Sequence, residues 1–210
     1  MIMVLAMSVP MSLRSAENKP LFGVKVSLDV NIPGKWHNSA GSIDMYRHGY
    51  GANIGGVCNV WLGKGFFFEP GVSLYYDSYS FKDLIVDGGP NSDSDKDPRL
   101  YKIGVRIPLV AGYDWQTGDR FSLSFFTGPE LNYSFAGKYV FHNKEVWGDM
   151  SDNPFLDQRR LDCAWKIGVG VPLNGFMISA EAAIGITDLM KNPDLSFREN
   201  RFTIALTRYF

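Results

Sequence analysis

From Leu21 onward apolar and polar residues alternate with a period of two, and the helical period is almost absent. Phe22, Val24, Val26, Leu28 and Val30 alternate with Gly23, Lys25, Ser27 and Asp29. The same alternation runs from Tyr50 to Leu62, from Phe66 to Asp77 and from Tyr101 to Trp115. It returns from Phe121 to Phe135, Leu161 to Leu173, Phe176 to Thr187 and Arg201 to Phe210. The pattern predicts eight strands, each with one apolar and one polar face.

The predicted connections are of two kinds. Gly63-Lys64-Gly65, Gln116-Thr117-Gly118 and Asn174-Gly175 read as tight hairpin turns, because glycine and Asn-Gly accept the positive φ such turns require. The other four, at about 31–45, 78–98, 136–158 and 188–198, are long and polar. A three-residue turn at 63–65 would pair Leu62 with Phe66, Glu69 with Asn59 and Asp77 with Gly51. One at 116–118 would set Glu130 opposite Gly104 and diagonal to Arg106, and Asn174-Gly175 would set Glu181 opposite Gly168 and diagonal to Lys166. In all three hairpins polar then faces polar, as one shared face requires. Short turns at one end and long loops at the other describe an eight-stranded antiparallel up-and-down transmembrane β-barrel.

Volume decides which face is inside. An eight-stranded bore barely holds its own side chains, and the apolar face carries Phe66, Phe68, Trp115, Phe121, Phe125, Phe135, Trp165 and Phe176. That face therefore looks outward to lipid, and the Gly-, Ser-, Thr- and Asn-rich face fills the lumen. Outward aromatics gather near the short turns (Phe66, Tyr113, Trp115, Phe176, Phe210) and near the long loops (Tyr50, Tyr76, Tyr101, Tyr133, Phe135), as two interfacial girdles would.

The last strand carries Phe202, Ile204, Leu206, Tyr209 and a terminal Phe210. It resembles the C-terminal signal by which outer-membrane barrels are recognised for insertion, although Arg208 departs from the apolar character of that position. Gly23-Val24-Lys25-Val26, Phe68-Glu69-Pro70-Gly71-Val72-Ser73-Leu74, Phe126-Thr127-Gly128-Pro129-Glu130-Leu131 and Lys166-Ile167-Gly168-Val169-Gly170 resemble segments of small outer-membrane β-barrel proteins of Bacteroidota, the PorT-like or porin-family barrels. The resemblance covers residues 20–210 and implies architecture; it brings no catalytic residues and no cofactor. It also raises membership of a secretion or attachment complex.

Composition fits this picture without revealing it. The 210 residues are 45% hydrophobic, yet alternation keeps every window from looking like a membrane helix. A net charge of −1 argues against nucleic acid as a partner. Apolar Met1-Ile2-Met3-Val4-Leu5-Ala6, followed by the polar stretch 14–19, reads as a signal peptide over residues 1–16 that lacks a basic start. Export, outer-membrane residence, extracellular long loops and periplasmic termini follow as expectations.

Candidate chemistry lies mainly on the polar face. Glu69, Lys102, Arg106, Glu130, Lys166 and Glu181 would sit in the lumen, with Arg106–Glu130 and Lys166–Glu181 as ion pairs that plug it; an ion or proton path is the rival reading. The loop bearing Asp87, Asp93, Asp95 and Asp97 fails the calcium-loop pattern, because Pro98 stands where the turn needs glycine. His37, His48 and His142, with Asp77 and Ser78, fall near the long-loop rim, where a lipid A-modifying enzyme would place its triad, but no spacing ties them together. Cys58 and Cys163 fall on non-neighbouring strands and are expected to be free thiols. Metal sites and enzymatic activity are not expected. Function is assigned to the loops, through residues such as Trp36, Tyr46, Arg47, Trp147 and Asp149: surface recognition, adhesion or an envelope-structural role, with a narrow solute channel second. The partners expected are outer-membrane lipid, the barrel-assembly machinery during insertion, and an extracellular ligand or envelope protein, around a monomer.

Overall fold

Backbone hydrogen bonding settles the architecture. The computed structural model describes residues 20–38, 41–44, 46–81, 99–117, 121–141, 144–148, 158–191, 194 and 196–210. The expected signal peptide, the acidic loop, His142 and Asp149 lie outside these residues. The strands are β1 (Leu21–Pro33), β2 (Trp36–Asn38), β3 (Gly41–Ile43), β4 (Gly49–Gly63), β5 (Phe66–Ser80), β6 (Arg99–Thr117), β7 (Phe121–Phe141), β8 (Lys144–Gly148), β9 (Leu161–Leu173), β10 (Phe176–Gly185) and β11 (Glu199–Tyr209). Their sheet order is β6-β5-β4-β1-β11-β10-β9-β7-β8, and β6 also pairs with β7. Eight antiparallel strands therefore close into a ring, sealed where β1 meets β11 from Gly23↔Tyr209 to Pro33↔Glu199. Closure gives both edges of every wall strand a partner, the condition for strands to cross lipid.

The alternation maps onto the wall as its period requires. Leu28, Ile54, Leu74, Ile167 and Ile204 are exposed on the outer surface, while Asp29, Asp77, Arg106, Glu130 and Glu181 are buried inside. Outer aromatics cluster at two levels, with Phe66–Tyr113 and Trp115–Phe125 toward the short turns and Tyr76–Tyr101 and Tyr133–Phe135 toward the long connections. Cys58 and Cys163 are free thiols.

Three details correct the sequence reading. The first hairpin turns on two residues, Lys64 (φ 52°) and Gly65 (φ 89°), and a bulge between Trp61 and Gly63 pairs Phe66 with Gly63 instead of Leu62. The second hairpin does not turn at 116–118: β6 runs on to Thr117, which pairs with Phe121. Glu130 therefore faces Pro108, not Gly104, and Arg106 faces Asn132. That error is a slip of four residues. An even slip keeps every side chain on its own face, so a test of polar against polar could not detect it. The Asn174-Gly175 turn sets Glu181 opposite Gly168, as expected. Third, the long connections carry structure of their own: a β2–β3 hairpin, and β8 folded back on the extended end of β7.

The lumen is also less uniformly polar than the pattern predicts. Phe67, Tyr75, Tyr79, Phe126 and Met177 point inward and are buried. Phe67, Tyr75 and Phe126 fit because each faces a cross-strand glycine: Phe67↔Gly112, Tyr75↔Gly104 and Phe126↔Gly168. A Cβ at Gly104 would lie 2.2 Å from the Tyr133 carbonyl oxygen and 2.6 Å from the Tyr75 ring, and one at Gly112 would lie 2.2 Å from the Phe67 ring. Glycine makes room for each ring to lie against the opposite strand.

Candidate functional site: the filled lumen and its rim

Inward positions on seven strands meet across the bore because the barrel is narrow. At mid-height four cations and four carboxylates alternate in one chain of contacts. Lys25 bonds Glu181, and Glu181 lies 3.1 Å from Lys166. Lys166 is 2.5 Å from Glu130, which also bonds Arg201. Arg201 approaches Asp29 at 4.0 Å, and Arg106 then bridges Asp29 (2.5 Å) and Asp77 (2.6 Å). Asp29 accepts further hydrogen bonds from Thr203 (2.6 Å) and Asn53 (3.0 Å), and the Arg106 guanidinium lies 4.2 Å from the Tyr75 ring centre. A neutral alternating chain satisfies buried charges that would be costly alone.

The expected residues occupy this bore, but their pairing differs. Lys166 does meet Glu181. Arg106 does not pair directly with Glu130: it takes Asp29 and Asp77, while Lys166 and Arg201 hold Glu130. The slip leaves Glu130 diagonal to Arg106, opposite Pro108 instead of Gly104, but Arg106 reaches across the bore to carboxylates on β1 and β5. Glu69 sits apart toward the short turns, accepting from Asn59 (2.9 Å) and from the Tyr209 hydroxyl (2.6 Å). Tyr209 thus points inward, while Phe202, Ile204, Leu206 and Phe210 face out. Lys102 lies 3.2 Å from Glu199, toward the long connections, where Tyr79 donates to the same carboxylate. The sequence reading omitted Lys25, Asp29, Asp77, Arg201 and Glu199 from the network. Their polar-face positions carried the signal, but contacts across a bore have no sequence spacing.

Both ends of the charged layer are covered. Toward the short turns lie two apolar groups, Phe67, Val110 and Phe126 with Trp61, and Val57, Met177 and Tyr209 with Leu21. Over the other mouth, Tyr46, Tyr79, Phe81, Leu100, Leu189, Met190 and Phe197 form a buried apolar cap. Tyr46, expected as a surface aromatic, is buried there and accepts from Gln158 at 3.2 Å. Asp188 fastens the cap by accepting from the backbone N–H groups of Phe197 (2.9 Å) and Met190 (3.0 Å). Partial burial pushes its carboxyl up, but these bonds and one from Ser196 outweigh that and hold it below the ordinary aspartate value. The bore keeps two small cavities, of about 30 and 20 Å³, the scale of a water or two.

Among the described residues, the rim does not bring together the His, Ser and acid of the rival lipid-modifying reading. The Asp77 carboxylate is occupied by Arg106, and Ser78 lies in the ladder between Tyr50 and Tyr101. His37 pairs through its backbone with Ser196, and His48 is exposed. Arg208, the departure in the final strand, spreads its guanidinium 4.4 Å from the Phe176 ring centre and donates to the Asn174 carbonyl.

A family model described as outer membrane protein beta-barrel domain matches residues 15–191. The chain belongs to that family. The barrel is thus an outer-membrane one, and its apolar outer surface is the one that meets lipid. Among solved structures it is similar in fold to Neisserial surface protein A (15% identity, 90% of this chain and 97% of that one, TM-score 0.46). It is likewise similar to Ail of Yersinia pestis, solved with the heparin analogue sucrose octasulfate (10%, 91% and 99%, 0.47). OprG of Pseudomonas aeruginosa is a third such structure (9%, 92% and 97%, 0.48). No curated protein matches the chain.

Proposed function

We propose that this barrel is a non-enzymatic scaffold that holds its long connections at the cell surface for recognition, adhesion or envelope organisation. The observation that carries this reading is the filled bore: a neutral ion-pair chain, apolar groups below it and an apolar cap above. What remains accessible is the wall and the connections. Long connections face outward and both termini face the periplasm in this reading, which an even number of wall strands supports. Outer-membrane lipid surrounds a monomer, and the assembly machinery engages Phe202, Ile204, Leu206, Tyr209 and Phe210. We also take the chain to be a PorT-like barrel of Bacteroidota, on the segments named above, with a secretion or attachment complex as the partner to seek by pull-down.

The test separates barrel from loops. Residues 82–98 and 142–157 are replaced by short Gly-Ser links, and folding is checked by anomalous migration on an unheated gel. The loop-stripped barrel should fail to restore attachment and envelope-barrier phenotypes to a deletion strain. Full restoration would contradict the proposal. A narrow channel is the second reading, favoured by the two small polar cavities in the bore.

A further inference from the structure

Two wall strands have no hairpin turn to set their register. Short hairpins join β4 to β5, β6 to β7 and β9 to β10, whereas β1 and β11 have only long connections and meet each other as the two ends of the barrel. Facing does not set the register either. On the outer surface Val26, Leu28 and Val30 lie against Leu206, Ile204 and Phe202, and a shift of two residues would again set apolar against apolar. On the inner surface Ser27 lies against Ala205 and Lys25 against Thr207, and the hydroxyls of Ser27 and Thr207 are without a hydrogen-bond partner. The distinctive contacts of both strands run to the far wall. From β11, Glu199 takes Lys102 of β6 (3.2 Å) and the hydroxyl of Tyr79 of β5. Arg201 holds Glu130 of β7, and Tyr209 donates to Glu69 of β5 (2.6 Å). From β1, Asp29 takes Arg106 of β6 (2.5 Å). Around the ring β6 lies four strands from β11, and β5 and β7 lie three away on opposite sides.

We propose that these contacts across the bore set the register in which the barrel closes, so that β11 is recognised by the far wall and not by its neighbours. A shift of two residues moves β11 by about 6.6 Å along its axis, well beyond the reach of a hydrogen bond. It also sets like charge against like. Moved one way, Glu199 takes the place of Arg201 and faces Glu130; moved the other way, Arg201 takes the place of Glu199 and faces Lys102. Either shift leaves Glu69, a buried carboxylate, without the Tyr209 hydroxyl. The three contacts stand at three heights, Tyr209 toward the short turns, Arg201 at mid-height and Glu199 toward the long connections. The even slip that facing tolerates is therefore the one that the inward side chains of β11 forbid.

The experiment reads register directly, in the full chain refolded into detergent in a Cys58→Ser, Cys163→Ser background. Val26→Cys is combined in turn with Leu206→Cys, at its partner position, and with Ile204→Cys or Arg208→Cys, at the positions it would meet after a shift of two either way. Directly opposite positions lie within disulfide reach, and positions two residues further along do not. The parent should form the bridge between positions 26 and 206 alone. In the double variant Glu199→Gln, Tyr209→Phe the share of shifted bridges should rise about tenfold or more, since a hydrogen bond to a charged group is worth at least that. Adding Arg201→Gln and Thr203→Val should bring shifted and native bridges to similar yields. Gly104→Ala, which strains the wall without touching these contacts, should keep the native bridge alone. Shifted bridges in the parent, native bridging alone in the folded double variant, or equal shifting in Gly104→Ala would each overturn the proposal. The double variant keeps Arg201 and its ion pairs, and so decides the question even where the fourfold variant fails to fold.

Discussion

Arg106 holds two carboxylates at once, and both are buried on strands other than its own. Removing it leaves Asp29 and Asp77 facing each other without their shared cation. Arg106→Leu should therefore destabilise the barrel by about 3–5 kcal/mol, measured by denaturant unfolding in detergent. Adding Asp29→Asn and Asp77→Asn should recover much of the loss, because the burial of unpaired charge is then gone. A single variant as stable as the parent would show that the chain of pairs does not carry the load described. Gly104 makes a steric prediction at the same scale. Its missing side chain lets Tyr75 lie against β6 and over Arg106, so Gly104→Ala should cost roughly 1–3 kcal/mol through overpacking. An unchanged unfolding midpoint would count against close contact there.

At the scale of the element, strand identity and facing were legible because a two-residue period survives any composition. Registers were legible where turn chemistry was unambiguous, and in the first hairpin beyond its bulge, where Asp77 pairs with Gly51 as expected. Asn174-Gly175 takes positive φ at both residues and fixes β9 against β10 without error. Gln116-Thr117-Gly118 offered glycine one step beyond the last paired residues, and β6 ran past the point where the turn was expected. The pairing of Arg106 with Glu130 failed for a different reason: the slip keeps the two diagonal, but Asp29 and Asp77, brought near across the closed bore, take the guanidinium. The cap was illegible for a further reason, since Tyr46, Phe81, Leu189 and Phe197 come from three separate connections with no shared period. Its fastening is testable by pH. The Asp188 carboxyl is held below its ordinary value, so its contribution is present above about pH 4 and is lost as pH falls through the lowered folded value. Amide protection at Phe197 and Met190 should fall in that acid range. In Asp188→Ala it should be low throughout, with no further acid loss, and an identical pH response in that variant would contradict the role given to Asp188.

At the scale of the whole molecule, the near-neutral charge acquires a place. Four cations and four carboxylates cancel one another inside the wall, and the apolar residues that composition counts as a core face lipid instead. The sequence reading found the barrel, the outward face and four of the eight charges in the chain of pairs. It missed Asp29, Asp77 and Arg201 as partners, since closure of a ring joins residues 29, 106 and 201 that no local pattern connects. A bore closed by paired charge and capped by apolar side chains makes the wall and the connections the working surfaces. Single-channel recording of the purified, folded full chain in a planar bilayer tests that claim most directly. A sealed barrel predicts a flat current at voltages that leave the bilayer intact; stable, reproducible conductance steps would contradict it.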